Sequence, residues 1–203
     1  MNEIKKNPTN TIIIAQTQTM GKGKANRVWK SENNGNLYFS MSINADANLD
    51  YSQISFIVSI ALRSNIVNSI SKWPNDILLN DKKCCGLILE KDKNNLIIGI
   101  GVNINEYPQD TNFLATSLKN EGIIVEKYSL LRGFLDSFNY YLNVWLEQGF
   151  LPIREEWLKR CYKFGGEIKV NDRVGIFNGF DKDGTLLFKC NNKIEYIKSG
   201  DVF

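Results

Sequence analysis

The sequence predicts an α+β protein, in which a mixed β-sheet is packed by helices and followed by a small β-barrel. Up to residue 102, short β-type runs alternate with turns around one segment of helical periodicity, and a longer amphipathic segment follows. After Gly165–Gly166 only short β-type runs remain. We therefore expect a main domain at 1–164 and a small β-barrel domain at 165–203. A barrel of about forty residues buries little surface alone, so it should dock on the main domain.

The elements of the main domain follow from their apolar spacing. Residues 11–17 predict a buried strand, and the alternating residues 36–43 predict a half-buried strand paired with it. Between them, residues 18–35 are basic, glycine-containing and almost free of apolar side chains, which is typical of a long functional loop. Residues 51–66 place one apolar face at helical spacing. Four further β-type runs separated by turns lie at residues 70–73, 77–79, 86–90 and 96–102.

Two helices and four strands are expected in the second half of the chain. Ser129 is the predicted N-cap of a long amphipathic helix, and Pro152 is expected to open a shorter helix that runs to Cys161. The β-type runs beyond the glycine pair lie at residues 167–170, 173–177, 184–190 and 193–198.

The composition excludes several classes of protein. Among 203 residues there is no histidine, which excludes Ser-His-Asp catalysis, His-ligated zinc and an imidazole base. A net charge of +3 is too small for a general nucleic-acid coat. The four cysteines form no C-x-x-C pair, so we expect reduced thiols and a cytoplasmic protein. The polar residues 1–10 and the short apolar run at 54–62 predict neither a signal peptide nor a membrane span.

The first motif that carries chemistry is the basic glycine segment from Gly21 to Trp29. Its alternate glycines let backbone N–H groups approach an anion, and Lys22, Lys24 and Arg27 add positive charge. The Trp29 ring offers a flat face to a base or ring. The segment is not a Walker loop, and as an isolated feature it is more typical of a solvated hairpin tip than of an anion site.

The second motif is Lys72–Asp76, followed by Lys83 and Gly86. A proline between two strands fixes a rigid turn, and Asn75 can both donate and accept at the edge of a base. Lys83 follows a turn, from which its amine can enter a pocket. The alternative is a surface hairpin whose lysines serve solubility.

The third motif is the glycine-containing apolar strand Gly99–Asn105. Glycines in such a strand indicate close approach of a ligand or of a neighbouring element. Asn103 at its end is either a satisfied core amide or a ligand contact.

In this order the three motifs resemble those of the biotin protein ligases, of the short kind without a DNA-binding domain. The family's basic loop G-R-G-R-x-G-R-x-W is matched by residues 21–29, K-W-P-N-D by residues 72–76, the following K-x-x-G by residues 83–86, and G-x-G-x-N by residues 99–103. The family's C-terminal G-x-D-x-x-G and S-G-[DE]-V patterns are matched by residues 179–184 and 199–202.

The resemblance implies a catalytic domain of the class II synthetase type with an SH3-like C-terminal barrel. It also implies activation of biotin with ATP and Mg²⁺ to biotinyl-5′-AMP, then transfer of biotin to a lysine of a biotin carboxyl carrier protein. A monomer or homodimer that binds neither DNA nor a membrane is expected. The alternatives are a decayed homologue that binds adenylate or carrier protein without turnover, and a related lipoate or octanoate transferase.

The resemblance also assigns residues by matching position. The biotin side would consist of Gln18, Lys22, Gly23, Lys24, Lys83 and Gly86. The adenylate side would consist of Lys24, Arg27, Trp29, Asn75 and Asn103. The catalytic set would be Lys83, Lys24 and Arg27, with no metal ligand because Mg²⁺ would be held mainly by ATP. The chemistry of the transfer step, in which the acceptor amine must lose a proton, adds Asp76 to this set. Asp76 would orient or deprotonate the acceptor amine, or would simply cap the turn.

Three departures from the family pattern stand out. Lys24 stands where the family usually has arginine, so the positive charge is kept. The pair of parallel hydrogen bonds that a guanidinium group makes to a phosphate is lost. Asn26 replaces the third loop glycine and still tolerates positive φ. The family's Ser-Thr-Asn segment and its helix have no counterpart before Gly21, since Thr9-Asn10 directly precedes the first strand. We therefore expect either a start at a late methionine of a longer reading frame or impaired biotin binding.

Overall fold

The fold was derived from a computed structural model of the 203-residue chain. It describes residues 1–7, 9–24, 27–31, 35–45 and 50–203. Asn26, the predicted substitute for a loop glycine, lies outside the described residues. Among the described residues, no helix combines the length and apolar character needed to cross a membrane.

A six-stranded sheet forms the framework of the larger part of the molecule, in the order β1-β2-β6-β5-β4-β3. Every neighbouring pair in it is antiparallel, and parallel pairing among the described residues is limited to two single-residue bridges. The α+β class is thus confirmed, but the strand pairs are antiparallel rather than mixed, because tight turns join β3 through β6 as consecutive hairpins. The strands are β1 Ile12–Ala15, β2 Leu37–Asn44, β3 Ile70–Lys72, β4 Asp76–Leu79, β5 Lys82–Asp92 and β6 Asn95–Val102.

The first two strands differ in burial from the prediction. Residues 11–17 were expected to form a buried strand, yet Ile12 and Ile14 of β1 are 39% and 41% exposed, because β1 lies at the edge of the sheet. β2 was expected to be half-buried, and its residues 37–42 are buried because it lies between β1 and β6. The pairing of the two strands is confirmed.

The three helices are α1 Ile54–Ser64, α2 Lys127–Gln148 and α3 Phe150–Lys159. α1 packs on β3, β4 and β5, and both α2 and α3 pack against α1. The predicted N-cap Ser129 is wrong, because the Glu126 carboxylate accepts the N–H groups of Tyr128 and Ser129 and the helix begins at Lys127. Pro152 lies in the first turn of α3, where a missing N–H is tolerated. α3 ends before Cys161 because the chain turns there to hydrogen-bond along Ser71 of β3.

A second, four-stranded antiparallel sheet follows Gly165–Gly166 in the order β10-β9-β8-β7. Its outer strand is extended by a bridge between Val170 and Val202. The Phe180 ring packs edge-on against Phe56 of α1 and Trp157 of α3, at 4.8 and 5.0 Å between centroids. The expected docking is therefore present, while the domain boundary at 164/165 stays a prediction. The strands are β7 Glu167–Val170, β8 Arg173–Phe180, β9 Leu186–Cys190 and β10 Lys193–Ile197.

Candidate functional site

A cavity of about 310 Å³ lies over β5 and β6, beneath the loop that joins β1 to β2. The strands contribute Gly86, Gly99 and Gly101 to its lining, and the loop contributes Trp29. The cavity is also lined by most of the side chains that the motifs single out, namely Gln18, Lys22, Gly23, Lys24, Arg27, Asn75 and Lys83. The first and second motifs are thus brought together by the fold.

Two paired glycines form part of the cavity floor. Gly86 of β5 lies opposite Gly101 of β6, and the Trp29 ring rests on both of them. A Cβ at Gly86 would lie 2.7 Å from Cζ3 of the indole, and a Cβ at Gly101 would lie 2.5 Å from Cε2. The close approach predicted for the glycine strand is therefore made by Trp29. The buried indole Nε1 has no hydrogen-bond partner among the described residues.

Gly101→Ala should therefore displace the Trp29 ring from the cavity floor, because the added methyl group would overlap with the indole. We expect stronger acrylamide quenching of tryptophan fluorescence, since Trp73, Trp145 and Trp157 are buried in the wild type. In a Trp29→Phe background the same change should leave quenching unaltered. Equal quenching of Gly101→Ala and wild type would show that Trp29 does not occupy the glycine floor.

Lys83 points into the same cavity. The turn at Asn80 and Asp81, both with positive φ, starts β5 and places Lys83 near its beginning. Its Nζ lies 2.6 Å from Oδ1 of Asp76, an ion contact whose angles are not those of a hydrogen bond. The ammonium also lies 5.5 Å from the centroid of the Trp29 ring. Because its side chain is only 18% exposed, these attractions act with little screening by water.

Phe113 is a site residue that the sequence motifs missed. Its ring centroid lies 5.3 Å from Nζ of Lys83, on the cavity wall. The residue belongs to an irregular segment without apolar periodicity, so no local signal identifies it. Its place follows only from the bridge that joins Lys83 to Ala115.

The loop cations are tied to three separate partners. Nζ of Lys22 lies 3.6 Å from Oε1 of Glu90 on β5. Lys24 donates to the carbonyl of Gly200 at 2.8 Å, and Arg27 pairs with Asp201 at 3.0 Å. The C-terminal S-G-D-V segment therefore reaches the loop that lies over the cavity.

Burial lowers the pKa of Lys24, which also lies 5.6 Å from the centroid of the Trp73 ring. At the base of the loop, the Ser31 hydroxyl accepts from N–H of Gln18 and donates to its carbonyl. These contacts hold the loop cations over the cavity.

The two asparagines of the motifs have different positions. Asn75 lines the cavity, and its side-chain amide donates to the carbonyl of Leu87 at 2.8 Å, which fastens the rigid turn to β5. Asn103 is 3% exposed and donates to the carbonyl of Thr116 at 3.1 Å. Of the two alternatives for Asn103, the structure shows the satisfied core amide, and it does not bring this side chain to the cavity lining. A role on the adenine side stays a prediction for both residues.

The chemistry open to this site is electrostatic. The thiols of Cys84 and Cys85 follow Lys83 directly but are buried, and burial raises the pKa of Cys84 to about 12, so neither is a thiolate nucleophile at neutral pH. Among the described residues no group of three or more cysteine or carboxylate side chains could hold a metal ion. Four basic side chains, those of Lys22, Lys24, Arg27 and Lys83, line this partly apolar cavity, which suits it to binding an anion with an apolar body.

Comparison with known proteins identifies the family. A sequence profile of the biotin/lipoate A/B protein ligase family matches residues 2–105, which include all three motifs. The chain belongs to this family. The match ends before the segment that carries Phe113 and before the C-terminal S-G-D-V, whose positions come from the structure alone.

Several relatives cover nearly the whole chain. It is 29% identical over 215 residues to the bifunctional ligase/repressor BirA of Bacillus subtilis, covering 96% of this chain and 66% of that protein. It is 27% identical to the biotin–[acetyl-CoA-carboxylase] ligase of Paracoccus denitrificans, covering 94% and 89%. The biotin protein ligase of Aquifex aeolicus in complex with biotin and ATP superposes with a TM-score of 0.89 at 25% identity, covering 100% and 92%. The chain thus spans just under two thirds of the Bacillus relative.

Proposed function

We propose that the protein activates biotin with ATP to biotinyl-5′-AMP and then transfers biotin to a lysine of a biotin carboxyl carrier protein. The observation that carries this proposal is the convergence of Lys83 and the loop cations on one cavity. The names of two relatives support it, because both are biotin ligases and one is described in complex with biotin and ATP.

The first step joins two anions, and the main obstacle is their mutual repulsion. Like charges at 4 Å repel by about 4 kcal/mol at the effective dielectric constant of a protein surface. Lys83 would hold the carboxylate of biotin, while Lys24 and Arg27 would exchange their present partners for phosphate oxygens. The carboxylate oxygen then attacks the α-phosphorus, the bond to the β-phosphate oxygen breaks, and pyrophosphate leaves. No general base is needed because the carboxylate is already ionised, so the lack of histidine does not impair this step.

The cavity also has room for the apolar part of biotin. The Gly86–Gly101 pair beside Lys83 and the Ile88–Gly99 pair are two residues apart on their strands, a separation of about 7 Å. Around the second pair the lining includes Ile13, Ala15 and Ile88. We propose that the valeryl chain passes beside the Trp29 ring, which covers the first pair, and that the ring system displaces the Met1 side chain, which covers Gly99, at the end away from Lys83.

In the second step the acceptor amine attacks the acyl carbonyl and AMP leaves. That amine must lose a proton, and at a pKa near 10.4 only ~0.04% of it is neutral at pH 7. Asp76 lies at the site through its contact with Lys83 and is the candidate to orient or deprotonate the amine. A cap on the turn remains the alternative for this side chain.

The remaining assignments are part of the same proposal. Mg²⁺ would arrive with ATP and be held mainly by the triphosphate, where it would neutralise phosphate charge. The free cysteines are compatible with a cytoplasmic setting. DNA is not an expected partner, and the choice between monomer and homodimer stays a prediction.

Exchange of label between pyrophosphate and ATP tests the proposal, because the first step is reversible. We expect exchange that requires biotin. A folded protein that binds biotin and ATP without exchange would favour the decayed, non-catalytic homologue. Exchange supported by lipoate or octanoate in place of biotin would favour the related transferase.

Limited digestion with trypsin should show whether Lys24 and Arg27 exchange their present partners, Gly200 and Asp201, for phosphate. We expect biotin with ATP to slow cleavage after Lys24 and Arg27, because a shared phosphate would replace two weak, half-exposed contacts. Fragment mass spectrometry measures this, with cleavage after the distant Lys159 as the internal control. Equal rates with and without ligand would contradict the proposed role of these two residues.

A further inference from the structure

The backbone of Lys83 is held on its open edge by a segment that no motif contains. The N–H of Lys83 donates to the carbonyl of Leu114 at 2.8 Å, and the carbonyl of Lys83 accepts from the N–H of Thr116 at 2.9 Å. The same segment carries Phe113, whose ring faces the Lys83 ammonium. We call residues 113–118 the flanking segment. The flanking segment therefore holds the backbone of Lys83 on one side, and Leu78 of β4 pairs with Lys83 on the other.

One carboxylate fastens the flanking segment to the β4–β5 turn. Oε1 of Glu121 accepts from the Thr116 hydroxyl at 2.6 Å and from Nζ of Lys82 at 3.3 Å. Its other oxygen accepts from the side-chain amide of Asn80 at 2.6 Å. Thr116 belongs to the flanking segment, whereas Asn80 and Lys82 belong to the turn and to the start of β5. The Glu121 side chain is 9% exposed.

We propose that Glu121 is a positioning residue for Lys83, since it locks the flanking segment to the turn from which Lys83 projects. The proposal rests on the proposed function, in which Lys83 binds the carboxylate of the acyl substrate. Glu121 itself does not line the cavity and touches no reacting atom.

The charge of Glu121 suits this role. Its hydrogen bonds, first from Thr116 and next from Asn80, lower its pKa to about 2, so it is ionised throughout the neutral range. An ionised carboxylate accepts from these three donors and also from the side-chain amide of Asn120 at 3.3 Å, whereas an amide at this position would present an N–H group to the donor Asn80. Glutamine at this position should therefore keep the hydrogen bond from Thr116 and lose the hydrogen bond from Asn80.

Glu121→Gln tests the proposal through the Michaelis constants of the exchange reaction. If the flanking segment loosens, the KM for biotin should rise about tenfold, the equivalent of one charge-assisted hydrogen bond, while the KM for ATP should stay within about twofold. A merely structural role would lower the active fraction and leave both constants unchanged. Glu126→Gln is the matched control, because Glu126 also accepts two hydrogen bonds but caps α2 away from the site.

The KM for biotin of Glu121→Gln, compared with that of Glu126→Gln, decides whether Glu121 positions Lys83. A raised KM for biotin in Glu121→Gln with an unchanged value in Glu126→Gln supports the proposal, and an unchanged KM for biotin in Glu121→Gln overturns it. If Glu121→Gln fails to fold, Thr116→Val removes only the hydroxyl and carries the same expectation and the same refutation. Absence of biotin-dependent exchange in the wild type would instead overturn the proposed function.

Discussion

Replacing Lys83 with alanine should lower biotin-dependent ATP–pyrophosphate exchange by about 100- to 1,000-fold, the usual cost of removing one electrostatic stabiliser from a catalytic site. The ammonium is the cation that the structure holds between the rings of Trp29 and Phe113 and against Asp76. Without it, the carboxylate of the substrate meets Asp76 with no intervening positive charge.

The fold should survive this change, because the Lys83 side chain is partly exposed and its backbone hydrogen bonds do not depend on it. Circular dichroism and thermal unfolding check that point. Lys119→Ala is the matched control, since Lys119 is an exposed lysine six residues beyond Phe113 and should retain full activity. Exchange within about threefold of wild type in Lys83→Ala would remove Lys83 from its proposed role.

The second large effect concerns stability rather than activity. Arg63→Met should lower the free energy of unfolding by about 3 kcal/mol, because three buried or part-buried carbonyl groups lose their donor at roughly 1 kcal/mol each. The guanidinium of Arg63 is fully buried and donates to the carbonyls of Glu156, Trp157 and Arg160 at 2.8–2.9 Å. It thereby satisfies the C-terminal end of α3 and joins α3 to α1.

Thermal unfolding measures this effect. For a chain of this size, 3 kcal/mol corresponds to a fall in Tm of about 6–12 °C. Arg154→Met is the matched control on the same helix, because Arg154 makes one long hydrogen bond, 3.4 Å to the carbonyl of Phe180. A similar Tm for the two variants would show that Arg63 does not stabilise the C-terminal end of α3 to this extent.

Local patterns predicted most elements and the basic glycine loop that lies over the cavity. The β-type runs at 70–102 and 167–198 and the long amphipathic helix follow from apolar spacing, which packing preserves. The cap at Ser129 was wrong because Glu126, three residues earlier, accepts from the N–H groups of Tyr128 and Ser129 and so starts the helix at Lys127. Burial of β1 was wrong because strand spacing does not say which strand lies at the edge.

The site was only partly predictable. Lys83, Trp29 and the loop cations were found because each belongs to a dense motif. Phe113 and Glu121 were not, since their importance comes from a long-range bridge to Lys83 that has no local signature. Asn103 is the opposite case, a residue that belongs to a motif but lies outside the cavity lining. A polar residue at the end of a glycine strand is as well suited to hydrogen-bond Thr116 as to contact a ligand.

A crystal structure with biotin and ATP, or with biotinyl-5′-AMP, tests the central claim most directly. We expect the carboxyl group of biotin within hydrogen-bond distance of Nζ of Lys83, the ring system over the Ile88–Gly99 row, and phosphate oxygens in contact with Lys24 and Arg27. Ligand bound elsewhere, with the Lys83 ammonium still paired only to Asp76, would contradict the claim that these cations converge to bring two anions together.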